Sequence, residues 1–574
     1  MGNYYLYCKK ADFAAIADEF HITPMTARIL RNRDLCSNEE IRAFLNGTLT
    51  SLHDPYLMKG MTEAVAMIRK AVSEHRKIRV IGDYDVDGIC SSYIIRHVIE
   101  SLGGRADVRL PDRILEGYGM NCDMIKEAVS DQVELIITCD NGVSAHEAVQ
   151  EAKDKGIDVI VTDHHEVPYP LVEADVVIDP KQEGCPYPYK ELCGGGVAYK
   201  LAQALLCNEE PQTAQALLED FLQFAGMATV ADLVPLTGEN RILAKEGIKR
   251  LQKTDNEGLK AILQIRGAEA EEINEYYIGF IIGPCLNSAG RLKNAKIAYD
   301  LLEETDPVSA GNKAKELSDL NDERKDLTRK QTEEADQKIQ ETYPDIMGLP
   351  KVLVIYLPSA HESVAGIIAG RLKDLYSRPA LVITNSDDGM KGSGRSVEAY
   401  DLISEMQKHA DLFKKYGGHK KAAGFSLNDG ITPDEISRQL NESCQLSVDD
   451  LAEKIWVDME LPFKYVSESF VNELQLLEPF GLGNEKPLFA RRNVRIRKLF
   501  ILGKNQNVLK LHLEDEEGTP LEGVCFGPAD KIQKKAQWLQ PKMEAEETVS
   551  VFYHPDINEF RNQKIPQARI IDIC

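Results

Sequence analysis

The sequence has no long apolar run, no closely spaced cysteine pair and no surplus of basic residues. Within its 574 residues no stretch approaches the roughly 18 consecutive apolar residues that cross a membrane. The N-terminal segment MGNYYLYCKKADF lacks the basic-then-apolar order of a signal peptide. The twelve cysteines are scattered without a CxxC pair, which disfavours a disulfide framework or a zinc ribbon. We therefore expect a cytoplasmic protein with reduced thiols and no membrane association.

Positive charge is scarce relative to negative charge. The 68 Lys and Arg residues against 92 Asp and Glu residues give a formal net charge of −24. Taken alone, this balance argues against a polyanionic partner such as nucleic acid. It does not exclude one, because bound divalent cations cancel carboxylates and because basic residues can be concentrated locally. Hydrophobic residues make up 43% of the chain, which is sufficient to fill real cores.

The alternation of apolar and polar residues predicts an α/β chain with several domains. Short apolar strands alternate with amphipathic helices up to about residue 190, which is typical of βαβ units and a largely parallel sheet. Residues 310–345 are charged on nearly every turn, so we predict a long solvent-exposed connecting helix. Short β-rich segments after residue 455 predict a small barrel or sandwich. The predicted segments are an N-terminal lead-in (1–60), an α/β domain (61–308), the connecting helix (309–346), a second α/β domain (347–450) and a β-barrel (451–574).

Acidic side chains and two histidines crowd the ends of three predicted strands, in VIGDYDVDG, ITCDNG and VTDHH. They are Asp83, Asp85, Asp87, Asp140, Asp163, His164 and His165. Because ligand sites in open α/β sheets lie at the carboxyl ends of the strands, these residues should converge in one crevice. Buried like charges cost several kcal/mol unless they are compensated. The pattern therefore predicts bound divalent cations.

The donor types indicate which cations to expect. Carboxylate oxygens with a few histidines suit Mn²⁺ or Mg²⁺ better than a sulfur-rich zinc site. Two such ions bridged by shared carboxylates would clamp a phosphoryl group and activate a water for in-line attack. A single Asp at a strand end is more often a helix cap, and a histidine pair alone is as readily structural. The prediction therefore depends on the three strand ends together.

The same motifs carry a resemblance to a known family. GDYDVDG, TCDNG and TDHH resemble the motifs of the DHH phosphoesterase superfamily, and their order and spacing are similar to those of the RecJ single-strand exonucleases. TVADLVPL resembles the fourth motif of that family, and GPCLNSAGRL resembles its asparagine–arginine element. SAHESVAGIIAGRL, GSGRS and GGHKKAAGFSL resemble the DHH-associated domain, and LEPFGLGNEKPLF resembles the entry to an OB barrel. The resemblance implies a parallel-sheet DHH domain, a long connecting helix, a second α/β DHH-associated domain and a C-terminal OB-like β-barrel.

The resemblance also implies roles for individual residues. Those implied to hold two Mn²⁺ or Mg²⁺ ions and to support catalysis are Asp85, Asp87, Asp140, His164, His165 and Asp232. Asp83 would be a further ligand or an outer neighbour of the ions, and His165 is also a candidate for proton transfer. The residues implied to bind substrate are Arg113, Asn287, Arg291, His361, Ser393, Arg395, Gly417, Gly418, His419 and Lys420.

Two local stretches are basic, although the chain as a whole is acidic. KHADLFKKYGGHKKAAG carries five lysines against one acid, and its adjacent glycines would let the backbone approach a phosphate. KPLFARRNVRIRKLFILGKNQNVLK contains no acid, and on a strand Arg495 and Arg497 would form one basic face. Phe489 and Phe500 flank that face and are candidates for base stacking, although such residues are more often part of a core. Both stretches predict a groove for single-stranded nucleic acid with a steep salt dependence.

The function implied by the resemblance is processive 5′→3′ hydrolysis of single-stranded DNA to nucleoside 5′-monophosphates in recombination and repair. The implied partners are a helicase and a single-strand-binding protein, and a monomer is expected. One alternative is a DHH phosphodiesterase acting on short oligonucleotides or a cyclic dinucleotide, although such relatives generally lack the C-terminal barrel. Another is a non-catalytic scaffold that binds single strands, although the full set of acids and histidines argues for catalysis.

Overall fold

A computed structural model describes residues 3–345, 348–386, 389–560 and 563–574. The chain forms two compact units, one made of residues 53–234 and 243–453, the other of residues 1–52, 235–242 and 454–574. The strands are β1 (Asn3–Leu6), β2 (Lys77–Ile81), β3 (Arg105–Arg109), β4 (Leu135–Cys139), β5 (Asp158–Thr162), β6 (Val176–Ile178), β7 (Leu353–Tyr356), β8 (Ala380–Ser386), β9 (Gly389–Arg395), β10 (Phe413–His419), β11 (Ala422–Leu427), β12 (Lys454–Val457), β13 (Met459–Glu460), β14 (Phe489–Leu502), β15 (Val508–Glu514), β16 (Pro520–Phe526), β17 (Thr548–Phe560) and β18 (Gln563–Ile573). The helices are α1 (Phe13–Phe20), α2 (Pro24–Asn32), α3 (Asn38–Asn46), α4 (Met61–Ser73), α5 (Val86–Ser101), α6 (Cys122–Ser130), α7 (His146–Asp154), α8 (Gly194–Leu206), α9 (Pro211–Ala231), α10 (Gly238–Leu251), α11 (Glu257–Ile265), α12 (Glu275–Tyr277), α13 (Gly283–Leu292), α14 (Lys296–Leu302), α15 (Pro307–Thr342), α16 (Glu362–Tyr376), α17 (Leu402–Lys408), α18 (Pro433–Ser443), α19 (Glu468–Leu474) and α20 (Ala529–Glu544).

The first sheet is parallel throughout, in the order β3-β2-β4-β5-β6, as the sequence predicts. All five residues of β4 are buried, which explains why its sequence LIITC is a continuous run rather than an alternation. One face of the sheet packs against α6 and α7 through Ile136, Val159 and Val161. Because β2, β4 and β5 are neighbours, their carboxyl ends lie side by side.

A helical region follows the first sheet and ends in the long helix α15. Asp306 caps this helix by accepting a hydrogen bond from the Ser309 N–H at 2.8 Å, and Pro307 occupies the first turn. With 36 residues, α15 is about 54 Å long. Its first half buries Ala310, Ala314 and Leu317, so it is less exposed than its charge density predicts. None of the helices in the described ranges is long and apolar enough to cross a bilayer.

The second sheet has the order β10-β11-β9-β8-β7 and is mixed. Strands β7 and β8 are parallel, whereas β8, β9, β11 and β10 follow one another antiparallel. The faces of this sheet contribute to two hydrophobic clusters, one of which includes the apolar side of α16. This arrangement places Ser393 and Arg395 on β9 beside the strand β11 that pairs with the glycine-rich end of β10.

The other compact unit contains an OB-like sheet. Pairing runs through β14, β15, β16, β18 and β17, and β17 pairs again with β14, which gives a circular strand order. Helix α20 connects β16 to β17. Phe489, Leu511 and Tyr553 lie in the interior. The same core includes Ile29 and Ile41 from helices α2 and α3, so the N-terminal segment packs against the OB-like sheet within this unit.

Candidate active site

The acids and histidines predicted from the three strand ends converge in the structure, together with the more distant Asp232. Their ligand atoms form three overlapping groups, and within each group the atoms lie within 4.8 Å of one another. Asp140 and His164 each belong to two of the groups. The groups are Asp140 with His164 and His165, Asp87 with His164 and Asp232, and Asp83 with Asp85 and Asp140.

Two of the acids are held by the starts of helices. Asp85 caps α5, and its Oδ1 accepts hydrogen bonds from the N–H groups of Asp87 (3.0 Å) and Gly88 (3.2 Å). The buried carboxylate of Asp87 accepts from the N–H groups of Gly194 (2.7 Å) and Gly195 (2.6 Å) at the start of α8. Helix N-termini favour negative charge, and these hydrogen bonds fix the orientation of both carboxylates.

The glycines that begin α8 are part of the site, although none of the motifs singles them out. A Cβ atom at Gly194 would lie 2.6 Å from the Cβ of Asp140, and one at Gly195 would lie 2.5 Å from the Cβ of Ala228. A side chain at Gly194 would therefore push α8 away from Asp140, and one at Gly195 would push it away from α9. Three successive glycines in LCGGGVAYK were the signal that could have identified this contact.

Asp140 stands in a backbone conformation that non-glycine residues seldom adopt, with φ of 62°. Asn141 fixes this turn, because its side-chain amide donates to the carbonyls of Ile81 (3.0 Å) and Cys139 (2.9 Å). The hydroxyl of Tyr118 donates to the Asp140 carbonyl at 2.7 Å. Asn141 and Tyr118 are positioning residues that the motif pattern did not single out.

The two histidines have different surroundings. Asp163 accepts hydrogen bonds from His165 Nδ1 (2.7 Å) and from the N–H of Val143 (3.0 Å), so it orients His165. Burial opposes protonation of His165, but the bond to Asp163 raises its pKa above the usual value. His164 is buried, and burial followed by the charge of His165 lowers its pKa to about 3. The Nε2 atom of His164 lies 3.0 Å from Asp140 Oδ1 and 3.7 Å from Asp232 Oδ2.

The buried and mutually repelling acids of the cluster indicate that it binds a cation. Burial, followed by the charges of neighbouring acids, raises the pKa of Asp83, Asp140 and Asp232 well above the usual range. The same causes raise the pKa of Asp87 to about 7. Asp83 Oδ1, Asp140 Oδ1 and His164 Nε2 are buried and have no hydrogen-bond partner among the described residues. Unsatisfied carboxylate oxygens beside a neutral imidazole form a donor set that fits Mn²⁺ or Mg²⁺.

Three arginines, which we call the arginine pocket, lie next to the acids. Arg113 stacks over Tyr84 at 4.7 Å, Arg291 Nη1 donates to the Ser363 carbonyl at 3.0 Å, and Arg395 Nη1 donates to the Gly394 carbonyl at 2.9 Å. In the described part of the chain, none of these three arginines has a carboxylate within ion-pairing distance. Arg113 and Ser393 line the same cavity.

The guanidinium charges in this pocket are unfavourable unless an anion is bound beside them. Burial, followed by the charge of Arg113, lowers the pKa of Arg291 to about 9. Burial and Arg113 also lower the pKa of Arg395. Guanidinium groups that repel one another and lack a counter-ion are suited to bind a phosphate through several charge-assisted hydrogen bonds.

Two predicted substrate ligands, Asn287 and His361, also have structural contacts. Asn287 Oδ1 accepts from the N–H of Val86 at 2.9 Å and so ties α13 to the loop that carries the acids. His361 caps α16, where its Nδ1 accepts from the N–H of Ser363 at 3.4 Å. These contacts arise because both residues lie at helix ends or next to one, which the motif match alone does not show.

The predicted substrate ligands at the end of β10 and just after it have different surroundings. The ring of His419 lies 6.1 Å from that of His165 and nearly parallel to it, so His419 faces the metal cluster. Gly417 is exposed with open space beside it, whereas Gly418 has φ of 140° and a Cβ there would lie 2.2 Å from the Ala422 carbonyl oxygen. Lys420 forms an ion pair with Glu398 at 2.9 Å on the surface.

The basic strand β14 carries less free charge than its sequence indicates. Arg497 pairs with Glu514 on the neighbouring strand at 2.6 Å, whereas Arg495 is exposed. Phe489 is fully buried, so it is a core residue and the stacking prediction is wrong for it. Phe500 is 43% exposed and remains available. The acid that the local stretch lacks is supplied by Glu514 on β15, four residues beyond the end of that stretch.

Fold and site together define a protein of the DHH class. Residues 77–229 match the N-terminal domain of the DHH family, and residues 349–446 match the DHHA1 domain. Residues 457–572 match the RecJ OB domain. The three matches follow the order of the two α/β sheets and the OB-like sheet along the chain.

Comparison with individual relatives shows which family within the DHH class the chain resembles. The chain is 35% identical to a Bacillus subtilis (strain 168) protein over 97% of this chain and 69% of that one. It is 32% identical to a Dickeya dadantii (strain 3937) protein over 95% and 94% of the two chains. Both relatives are named single-stranded-DNA-specific exonuclease RecJ. The crystal structure of RecJ in complex with Mn²⁺ from Thermus thermophilus superimposes with a TM-score of 0.83 and 25% identity, covering 100% of this chain and 79% of that one. The chain therefore belongs to the RecJ family, as its motifs predict.

Proposed function

We propose that this protein hydrolyses single-stranded DNA from the 5′ end and releases nucleoside 5′-monophosphates, in the service of recombination and repair. The observation that carries the proposal is the position of the unpaired arginine pocket beside the carboxylate–histidine cluster. The two are close enough that Asp85 raises the pKa of Arg291 against the larger lowering effect of burial. A phosphate-binding pocket next to a cation site is what a phosphodiesterase that acts at a strand end requires.

The residues of the cluster would have two roles, which are metal binding and proton transfer. Asp83, Asp85, Asp87, Asp140, His164, His165 and Asp232 would hold two divalent cations. Bound ions of this kind stabilise the charge that develops on a transferring phosphoryl group and lower the pKa of water. Asp163 keeps His165 oriented, and that histidine faces the cluster where it can hold or move a proton.

The arginine pocket would set the direction of digestion. A terminal phosphate carries about 1.5 to 2 negative charges near pH 7, whereas an internal phosphodiester carries one. Arg291 and Arg395 present cations whose pKa is lowered by burial, and Arg113 and Ser393 line the cavity beside them. Such a pocket favours the dianionic 5′ end over any internal position, so the strand is cut at the first linkage.

We also propose how the segments of the chain share this function. Residues 61–308 would supply catalysis, residues 347–450 would bind the 5′ end, and residues 451–574 would bind the strand through exposed groups such as Arg495 and Phe500. Residues 309–346 would connect the two α/β domains, and residues 1–60 would support the OB-like sheet. A cytoplasmic monomer that works with a helicase and a single-strand-binding protein completes the proposal, and the free state of all twelve cysteines supports a reducing compartment.

The test follows single-stranded DNA labelled at either end during incubation with Mn²⁺. We expect immediate release of a labelled mononucleotide from the 5′ label, whereas the 3′ label should stay in long fragments until late. Asp85→Ala should abolish both signals, and the surface variant Asp374→Ala should behave like the wild type.

Two other results would redirect the proposal. If long strands stay intact while dinucleotides are cleaved, the protein is a short-oligonucleotide phosphodiesterase. If strands bind tightly to the wild type but are never cut, the non-catalytic scaffold is the correct function.

A further inference from the structure

Two further arginines continue the pocket away from the acids. Most arginines in the described ranges pair with a carboxylate, but Arg324 on α15 and Arg371 on α16 have none within ion-pairing distance. They share this property with the three arginines of the pocket. We call these five residues, Arg113, Arg291, Arg395, Arg324 and Arg371, the arginine row.

Several arginines of this row contact helix α16 or lie on it. Arg291 contacts the carbonyl of Ser363 in the first turn of α16. Arg395 lies along the next turns, because a Cβ at Gly366 would be 3.1 Å from its Nη2 and one at Gly370 would be 3.9 Å from its Cγ. Arg371 follows directly on the same helix and is exposed.

Helix α15 contributes Arg324, which is fixed in place. Its Nε and Nη2 atoms donate to Asn321 Oδ1 at 3.2 Å and 2.9 Å, which leaves Nη1 without a protein acceptor. Asn321 is itself held, since its amide donates to Cys285 Sγ at 3.4 Å. A guanidinium that is oriented by a neutral amide, rather than by a carboxylate, keeps its whole charge for a ligand.

The charges in the row interact in sequence. After burial, the charges of Arg113 and Arg324 lower the pKa of Arg291, and the charge of Arg371 lowers that of Arg324. Asp85 acts on Arg291, whereas no acid of the metal cluster acts on Arg324. Arg371 lies eight residues, about 12 Å of helix, beyond Ser363, the residue of α16 that Arg291 contacts. Asn321 links Arg324 to α13, the helix that carries Arg291.

We infer that Arg324 and Arg371 form a second anion subsite, which takes the outer phosphates of a strand bearing a 5′-triphosphate. The inference rests on the proposed function. If the terminal phosphate occupies the pocket and the strand continues toward the metal cluster, no nucleotide lies beyond the pocket. Only additional phosphates attached to the 5′ end can reach further along the row.

The reaction on such a strand balances simply. Water adds to the phosphorus between the first and second nucleotides, and the bond from that phosphorus to the 3′ oxygen of the first nucleotide breaks. The first nucleotide leaves as a nucleoside 5′-triphosphate with a 3′-hydroxyl, and the shortened strand keeps a 5′-monophosphate. The second subsite therefore acts only on the first cut of each strand.

The experiment compares one DNA sequence carrying a 5′-triphosphate or a 5′-monophosphate. The first product is identified by mass spectrometry after a single turnover in Mn²⁺, and affinities are measured by fluorescence anisotropy competition in Ca²⁺. We expect release of a nucleoside triphosphate from the first strand. In Arg324→Gln and in Arg371→Gln, the affinity ratio of triphosphate to monophosphate strand should fall about tenfold, the effect of one charge-assisted hydrogen bond.

The control and the contrary results are well defined. Arg329→Gln alters an exposed arginine on α15 that pairs with Glu333, and it should leave the ratio unchanged. An unchanged ratio in both test variants overturns the inference, and so does a triphosphate strand that is not cut while the monophosphate strand is. Arg371 is exposed, so its variant remains informative if Arg324→Gln does not fold. If neither strand is cut, the proposed function fails, and the binding ratio alone decides whether the subsite exists.

Discussion

Replacing Asp140 by asparagine should stabilise the metal-free protein and at the same time remove its response to metal. Asparagine tolerates the left-handed conformation that Asp140 adopts. Asp140 Oδ1 accepts no hydrogen bond, although it lies 3.0 Å from His164 Nε2 and 3.9 Å from His165 Nδ1. The substitution therefore removes one negative charge from a crowded cluster while it keeps shape and backbone.

The size of the effect follows from the geometry. Ligand atoms of Asp83, Asp85 and Asp140 lie within 4.8 Å of one another, and two unit charges at that distance repel by roughly 3 kcal/mol at an effective dielectric constant of about 20. Protonation within the cluster relieves part of this repulsion, so we expect a gain of about 1–3 kcal/mol at pH 8. A cooperative unit of about 150–250 residues shifts its Tm by about 2–4 °C per kcal/mol, and the larger unit that holds the site, residues 53–234 and 243–453, should shift by less.

Differential scanning calorimetry with and without Mn²⁺ measures both effects. In EDTA the Tm of the variant should exceed that of the wild type. With Mn²⁺ at about 100 times its Kd, the wild type should gain about 3 kcal/mol and the variant much less. A variant that is less stable than the wild type in EDTA, or that gains as much from Mn²⁺, would show that Asp140 is neither a source of repulsion nor a ligand.

Three further outcomes are expected. Burial and the charge of Asp85 raise the pKa of Asp87 to about 7, so protons compete with metal below that pH. The Kd for Mn²⁺ measured by calorimetry should therefore weaken about tenfold from pH 8 to pH 6, and a Kd independent of pH would contradict this. Arg291→Gln should lower the preference for a 5′-phosphate over a 5′-hydroxyl strand about tenfold, because it removes one cation from the pocket; anisotropy in Ca²⁺ checks this, and an unchanged preference would refute it. Gly194→Ala should reduce nuclease activity at least 100-fold because its Cβ collides with Asp140, whereas Gly311→Ala, which meets open space, should not; equal activities would exclude the close approach of α8.

The parallel sheet and the metal cluster could be predicted because their signals are local. Each strand is a short apolar run, and each acid follows directly at its end, so the rule that strand ends converge is sufficient. Asp232 required the family resemblance, since it ends a helix rather than a strand. The contact of α8 with Asp87 could not be derived, because backbone N–H groups leave no mark in the sequence beyond the glycines that permit their approach.

Contacts between distant segments account for the remaining differences. Arg497 and Lys420 looked free because their carboxylate partners, Glu514 and Glu398, lie outside the basic stretches. Phe489 looked like a stacking residue because a strand pattern does not reveal which of its faces is covered. The packing of helix α3 into the core of the OB-like sheet joins segments more than 400 residues apart, and no periodicity in one sequence encodes such a pairing.

The proposed function is tested most directly by digesting one DNA sequence as a linear single strand, a circular single strand and a linear duplex in Mn²⁺. We expect the wild type to degrade the linear single strand, to leave the circle intact and to leave the duplex largely intact, and we expect Asp85→Ala to degrade none of them. A nicked circle would show cleavage that needs no strand end. A linear strand that survives the wild-type protein would show that this cluster does not cut single-stranded DNA.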